Sequence, residues 1–226
     1  MKTKDIKFTA TADKGEVSAI LMRPDRATHL LVLGHGAGAD MRSSAMQNIA
    51  EHLATCEIAT FRYNFPFKEY GRGGVDSPKV ATATVRAAVA EAKRLEPKLT
   101  LLAGGHSFGG RMTTTAQSES PLYEVKGLVL FSFPLHAPNR PDNLRAEHLN
   151  AIKIPMLFLT GTRDALNDLA LFNPVIKKLE KRATLHLLDT ADHSYKILKK
   201  TRASDEDVFA EMARTVSEWL RAETRL

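Results

Sequence analysis

The segment Gly104-Gly105-His106-Ser107-Phe108-Gly109-Gly110 is where residue types and spacing point most directly to chemistry. It follows the apolar run Leu99-Thr100-Leu101-Leu102-Ala103 and precedes the helix-compatible Arg111-Met112-Thr113, so a Gly-x-Ser-x-Gly pattern falls between a strand and a helix. A serine on so sharp a turn has strained backbone angles, and Gly105 and Gly109 remove the side chains that would collide with the neighbouring strand and helix. The chemistry would be attack of Ser107 on an acyl carbon, with the Phe108 amide at the helix start as one donor to the developing oxyanion. A glycine-rich turn with an incidental serine is the plainer reading, and the strand-turn-helix context argues against it.

A serine hydroxyl is a weak nucleophile near neutral pH, so an imidazole must take its proton and a carboxylate must fix the tautomer of that imidazole. On such a scaffold the chain order is serine, then Asp or Glu, then His. Asp164 follows the run Met156-Leu157-Phe158-Leu159-Thr160 through Gly161-Thr162-Arg163, and His193 follows Thr184-Leu185-His186-Leu187-Leu188 within Asp189-Thr190-Ala191-Asp192-His193. Both are expected on the rim that carries Ser107, as orienting acid and as base. The rival acids and histidines fall in structural positions. Asp168 is expected to cap the next helix, Asp189 and Asp192 to shape the His193 loop, His186 to alternate within a strand and His52 to lie in a helix. His29, His136 and His148 read as surface or loop residues.

A second glycine-rich loop, Gly34-His35-Gly36-Ala37-Gly38-Ala39, follows the run Leu30 to Leu33. The Ala37 amide is the expected second oxyanion donor, with Gly38 as the alternative, and His35 is expected to fix the loop. The same residues allow a rival reading. Gly34-x-Gly36-x-x-Ala39 matches a relaxed dinucleotide fingerprint, Arg62 ends the next strand where a 2′-phosphate would bind, and Tyr195-x-x-x-Lys199 resembles a reductase pair. That reading leaves the Ser107 turn unexplained, and the stretch from Asp40 to Ser44 delays the helix that should receive a pyrophosphate. No Gly-Lys-Ser/Thr phosphate loop occurs, and no cofactor is expected.

The elements that must position these groups are visible as periodicity. Leu30 to Leu33, Ile58 to Phe61, Leu99 to Ala103, Leu128 to Phe131 and Met156 to Leu159 are short, nearly continuous apolar runs, as expected of parallel strands covered on both faces. Val85, Ala88, Val89, Ala92 and Leu95 form a helical stripe bracketed by Pro78 and Pro97, and Val208, Phe209, Met212, Val216, Trp219 and Leu220 form another behind Asp205-Glu206-Asp207. Ile6 and Phe8, then Val17 and Ile20, flank Asp13-Lys14-Gly15 and predict an N-terminal hairpin at a sheet edge. The order predicts a three-layer α/β fold whose site lies in loops after strands, in a single domain over residues 1–226.

Composition agrees with an ordinary globular chain: 43% of the 226 residues are hydrophobic and 26% charged. The single cysteine, Cys56, excludes an intrachain disulfide and a cysteine-based metal site, and no metal is expected. The formal charge of +6 comes from scattered Lys and Arg without interleaved aromatic residues, which reads as a solvated face and not a nucleic-acid surface. No apolar block suggests a signal peptide or membrane span, so a cytoplasmic location is expected.

Taken together, Gly34-His35-Gly36-Ala37-Gly38, Phe61-Arg62-Tyr63-Asn64-Phe65-Pro66, Gly105-His106-Ser107-Phe108-Gly109-Gly110-Arg111, Gly161-Thr162-Arg163-Asp164 and Ala191-Asp192-His193 resemble the α/β-hydrolase superfamily over essentially the full length. The nearest likeness is to small dienelactone-hydrolase-like proteins, in particular the group containing testis-expressed protein thirty and the hydrolase-like region of subunit three of the non-specific-lethal complex. The resemblance implies an α/β-hydrolase fold and a Ser-Asp-His serine hydrolase acting on carboxylic esters or thioesters. True dienelactone hydrolases use cysteine where this chain has Ser107, so their lactone specificity does not carry over. Some members of the subgroup act within assemblies, which makes a noncatalytic protein-binding module the alternative.

Only about two dozen residues separate the Phe131 and Met156 strands, which leaves room for a minimal lid and an open site. Phe65, Tyr70, Phe133 and Leu166 fall in loops on the expected rim and are the candidate substrate contacts, with Phe67, Leu135 and Tyr195 nearby. Arg62 and Arg111 are expected to be structural ion-pair residues, with Arg62 also placed to meet an anionic substrate group.

Overall fold

The apolar runs and amphipathic segments build one eight-stranded sheet with helices on both faces, seen in a computed structural model that describes residues 1–71 and 73–223. The first two strands, β1 (Lys2–Thr11) and β2 (Gly15–Arg23), form the expected antiparallel hairpin at one edge, and Gly15 takes the positive φ that its turn requires. The remaining strands are β3 (His29–Gly34), β4 (Ile58–Tyr63), β5 (Thr100–His106), β6 (Val125–Phe131), β7 (Met156–Gly161) and β8 (Ala183–Leu188). Their order is β1-β2-β4-β3-β5-β6-β7-β8, with β2 antiparallel to β4 and all pairings from β4 to β8 parallel.

Cover on both faces explains why the central strands lack alternation: every residue of β4 and of β7 is buried. Helices α1 (Ser44–Thr55) and α6 (Val208–Ala222) cover one face, packing Met46, Ile49 and Leu53 with Met212, Val216 and Trp219. A short α2 (Pro66–Glu69) follows β4; α3 (Pro78–Leu95), α4 (Phe108–Glu119) and α5 (Leu169–Leu179) cover the other face. The helix starts follow their residue chemistry. Ser77 accepts the Val80 amide with Pro78 inside the first turn, Asp207 accepts the Phe209 and Ala210 amides, and Asp168 accepts the Ala170 amide, its expected capping role.

The chain leaves β3 for β4 on one side and then crosses to β5 on the other, so the carboxyl ends of β3 and β5 flank a topological switch point. Ligands of open α/β sheets bind at such a point, and the Gly34 and Ser107 loops both emerge there. Between β6 and β7 the regular structure is a 3-10 helix, Leu144–Ala151, in keeping with a minimal lid. Among the described residues no helix is long and apolar enough to cross a membrane.

Candidate active site

Ser107 stands between the last residue of β5 and the first of α4 with φ 51° and ψ −113°. Such angles cost a non-glycine residue roughly 1–3 kcal/mol and persist only when the surroundings over-determine them. Here the Ser107 amide donates to the Phe131 carbonyl at 2.9 Å, and the Ser107 carbonyl accepts from the Arg111 amide at 3.0 Å. A Cβ on Gly109 would overlap the Gly34 carbonyl group, so β3 and α4 approach at a spacing that glycine alone permits.

His193 reaches this serine from beyond β8. Its Nε2 lies 2.9 Å from Ser107 Oγ, and its Nδ1 lies 2.9 Å from both carboxylate oxygens of Asp164. An ionised carboxylate can only accept, so the ring proton sits on Nδ1 and Nε2 keeps a lone pair toward the serine hydroxyl. The Asp164 side chain has no exposed surface and also accepts the Leu166 amide at 2.9 Å, which fixes its rotamer. The three residues that the sequence groups by chain order therefore form one hydrogen-bonded chain from hydroxyl to imidazole to carboxylate.

The loops that carry Asp164 and His193 are laced together. The Arg163 amide donates to the Ala191 carbonyl at 2.9 Å, the Thr190 amide to Thr162 Oγ1 at 2.9 Å, and the Arg163 guanidinium to the Thr190 carbonyl at 3.1 Å. Asp192 Oδ1 accepts the Ser194 and Lys196 amides, closing the turn that carries His193.

The loop after β3 is equally constrained. A Cβ on Gly36 would lie 3.6 Å from Ser107 Cβ and 2.9 Å from His106 Nδ1, which places the loop after β3 directly against Ser107. Phe108 is the first residue of α4, so its amide has no acceptor within the helix. His35 fixes the loop from below: its Nε2 accepts the Phe65 amide at 3.1 Å, so Nδ1 carries the proton and donates to the Gly36 carbonyl at 2.8 Å. Burial pushes the His35 pKa down to about 4 and keeps the ring neutral.

One residue has a larger part in this geometry than its place in the motif suggested. His106 donates from Nε2 to the His193 carbonyl at 3.1 Å, and the two rings stand 5.3 Å apart. Burial lowers its pKa to about 4, and its Nδ1 is buried without a partner among the described residues. It lies just before Ser107, but its contact spans 87 residues of chain, which local spacing does not encode.

The side chains expected to touch substrate divide. Phe65 and Phe133 have no exposed surface: Phe65 packs edge-on to His35, Tyr63 and Phe108, and Phe133 packs against Phe158 and Phe172. Their loops turn inward, so both shape the site from behind. Tyr70 is 48% exposed and its hydroxyl donates to the Glu16 carbonyl at the β2 edge, whereas Leu166 sits beside Asp164 and its carbonyl accepts the His136 amide. A concavity of about 410 Å³ opens next to it, lined by His136, Pro141, Thr162, Asp164, Asn167 and Asp168 among others.

Two expectations need correction. Arg62 is not an ion-pair residue: it is 1% exposed and donates to the Met41 carbonyl and to Gln47 Oε1. Arg111 makes no ion pair among the described residues, and burial, then the Arg145 charge, lowers its pKa. His136 is in a loop as expected but is buried, with Nδ1 donating to the Ala137 carbonyl and Nε2 accepting the Asp168 amide. The dinucleotide reading loses both side chains it needs, because Arg62 is enclosed and Tyr195 is 4% exposed.

The sheet order, the strained serine turn and the position of the site define an α/β hydrolase. A sequence profile described as an alpha/beta hydrolase domain matches residues 27–221, and the chain belongs to that family. Its fold is similar to that of a dienelactone hydrolase from Anabaena variabilis, with a TM-score of 0.76 and 18% identity over 98% of this chain and 99% of that one. A lidless serine hydrolase from Xanthomonas campestris has a TM-score of 0.73 and 19% identity over 97% and 95% of the two chains. For an esterase from Pyrococcus furiosus the values are 0.74 and 18% over 98% and 91%. At these identities the likeness is one of fold.

Proposed function

We propose that the protein is a serine hydrolase that cleaves carboxylic esters or thioesters through an acyl-enzyme intermediate. The observation that carries the proposal is the unbroken chain from Ser107 Oγ to His193 Nε2 at 2.9 Å and from His193 Nδ1 to Asp164 at 2.9 Å, on a turn strained to expose the serine. His193 takes the hydroxyl proton as Ser107 Oγ bonds to the acyl carbon, and the carbonyl oxygen takes up the negative charge facing the Phe108 and Ala37 amides. Collapse of that intermediate breaks the carbon–oxygen or carbon–sulfur bond, with the His193 proton passing to the leaving group. Water, deprotonated by the same imidazole, then attacks the acyl-serine and returns Ser107 to its starting state. Asp164 stabilises the imidazolium in both steps without taking a proton.

Esters are the first substrates to try because the site lacks a large covering domain and presents a hydroxyl nucleophile. The motif segments around Gly34, Ser107 and His193 support placing the chain near the group containing testis-expressed protein thirty. The decisive experiment combines fluorophosphonate labelling with release of nitrophenolate from short-chain 4-nitrophenyl esters. Both signals are expected in the wild type and neither in Ser107→Ala. Turnover that survives Ser107→Ala in purified protein overturns the proposal; a stable protein complex with no labelling of the wild type favours the binding-module reading.

A further inference from the structure

The loops that carry Asp164 and His193 are fastened to each other by the Arg163 amide on the Ala191 carbonyl and the Thr190 amide on Thr162 Oγ1, both at 2.9 Å. The turn that carries Ser107 takes no part in that lacing, since its own backbone bonds run to Phe131 on β6 and to Arg111 within α4. The backbone therefore sets the distance of His193 from Asp164, whereas the distance of His193 from Ser107 needs a separate tie. Among the described residues, and apart from the His193–Ser107 bond itself, a single hydrogen bond joins residues 189–196 to residues 106–110. It is the bond from His106 Nε2 to the His193 carbonyl at 3.1 Å.

The His106 ring is wedged in place to make it. It stands 5.3 Å from the His193 ring and 5.4 Å from the ring of Tyr195, which is buried and packs against Phe209 of α6 at 5.6 Å. On another side the loop after β3 closes in, because a Cβ on Gly36 would lie 2.9 Å from His106 Nδ1. The bond falls on the backbone carbonyl of His193 and so occupies neither nitrogen of its ring, leaving Nδ1 to Asp164 and Nε2 to Ser107. Such a tie fixes where the residue sits and leaves its imidazole free to handle a proton. It also adds no charge. A carbonyl can only accept, so the His106 proton is on Nε2, and burial keeps the ring neutral beside His193.

We propose that His106 is the positioning residue that holds His193 at proton-transfer distance from Ser107, a role separate from that of Asp164, which orients the imidazole. Its effect on rate rests on the serine hydrolase reading; its effect on geometry does not. His106→Leu removes the donor at comparable bulk, His106→Gln carries an amide nitrogen to the place of Nε2, and His106→Asn ends short of the carbonyl. In His106→Leu and His106→Asn, kcat/KM for 4-nitrophenyl acetate and the rate of fluorophosphonate labelling are expected to fall together by ~100-fold, the scale for a misplacement of about 1 Å. His106→Gln should recover most of that loss, with melting curves confirming that each protein is folded. The low-field NMR proton of the His193–Asp164 bond should persist in His106→Leu, because the lacing of those two loops is untouched; its disappearance would overturn the separate role. Equal rates in His106→Gln and His106→Asn, or wild-type rates in a folded His106→Leu protein, overturn the proposal. A crystal structure of His106→Leu, or of His106→Asn where leucine prevents folding, reads the geometry without substrate. The His193 Nε2 to Ser107 Oγ separation is expected to open past the ~3.2 Å reach of a hydrogen bond, and an unchanged separation overturns the proposal. A wild type that neither labels nor turns over esters, beside a separation that opens in the variant, would count against the hydrolase reading alone.

Discussion

Gly161 lies directly beneath the carbonyl oxygen of Ala191, so close that a Cβ at position 161 would overlap it. Gly161 ends β7 just before the Asp164 turn, and Ala191 lies two residues before His193, so this contact sets the spacing of Asp164 and His193. The clash is with backbone, which has no rotamer to change. Gly161→Ala should therefore displace the His193 loop and lower ester kcat/KM on the order of 100-fold, the scale for a misplacement of about 1 Å. Steady-state kinetics beside a melting curve checks this; full activity in a folded Gly161→Ala protein would show that the loop accommodates the methyl group.

Asp164→Asn separates orientation from bulk. The amide can donate to His193 Nδ1 and so favours the tautomer with the proton on Nε2, facing Ser107 with no lone pair to offer. The expected loss is roughly 10⁴ in kcat with the fold retained. Fluorophosphonate labelling at Ser107 should slow in parallel, since the same proton must leave. A loss below about tenfold would assign the orienting role to another group.

Much of this arrangement is legible in the sequence because it depends on the order of strands. The runs from Leu30, Ile58, Leu99, Leu128 and Met156 become central parallel strands because each is apolar at consecutive positions, and the loops after them must reach one rim. Ser107, Asp164 and His193 can be grouped on that ground alone. What the sequence withholds is the direction in which loop side chains turn. Phe65 and Phe133 follow strands as a pocket residue would, but both loops fold back into the core, Phe65 because its amide binds His35. Arg62 shows the same limit: a guanidinium in a strand suggests an ion pair, but its Nη1 donates to a carbonyl and an amide oxygen instead. Contacts such as that of His106 with the His193 carbonyl arise only when distant loops meet.

Arg202 anchors the segment between the His193 loop and α6. Its side chain is 2% exposed, pairs with Glu211 and donates to the Asp189 carbonyl, while Glu211 also accepts from His186 at 2.8 Å. Arg202→Leu would leave the buried Glu211 carboxylate with only the His186 imidazole as partner, and removing one member of a buried pair costs about 3–5 kcal/mol. Urea unfolding is expected to show that loss, and the double variant Arg202→Leu with Glu211→Leu should recover much of it by removing the stranded charge. A loss below about 1 kcal/mol in the single variant would mean that the pair behaves as an exposed one.

The buried histidines predict how stability responds to acid. His35 and His106 have pKa values lowered from 6.5 to about 4, chiefly by burial, so they stay neutral in the folded protein at pH values where the unfolded chain already binds protons. Their depressed folded values mean that the native state is favoured fully above pH 6.5 and loses that advantage as pH falls toward 4. In the upper part of this window, before most carboxylates titrate, each histidine contributes a slope of at most about 1.4 kcal/mol per pH unit. Urea midpoints measured between pH 7 and about 5 should therefore fall with acidity, and His35→Gln, which cannot titrate, should flatten the curve by up to half of the slope shared by these two rings. An unchanged slope in His35→Gln would show that the ring is solvated or charged in the folded state, contrary to its enclosure between the Phe65 amide and the Gly36 carbonyl.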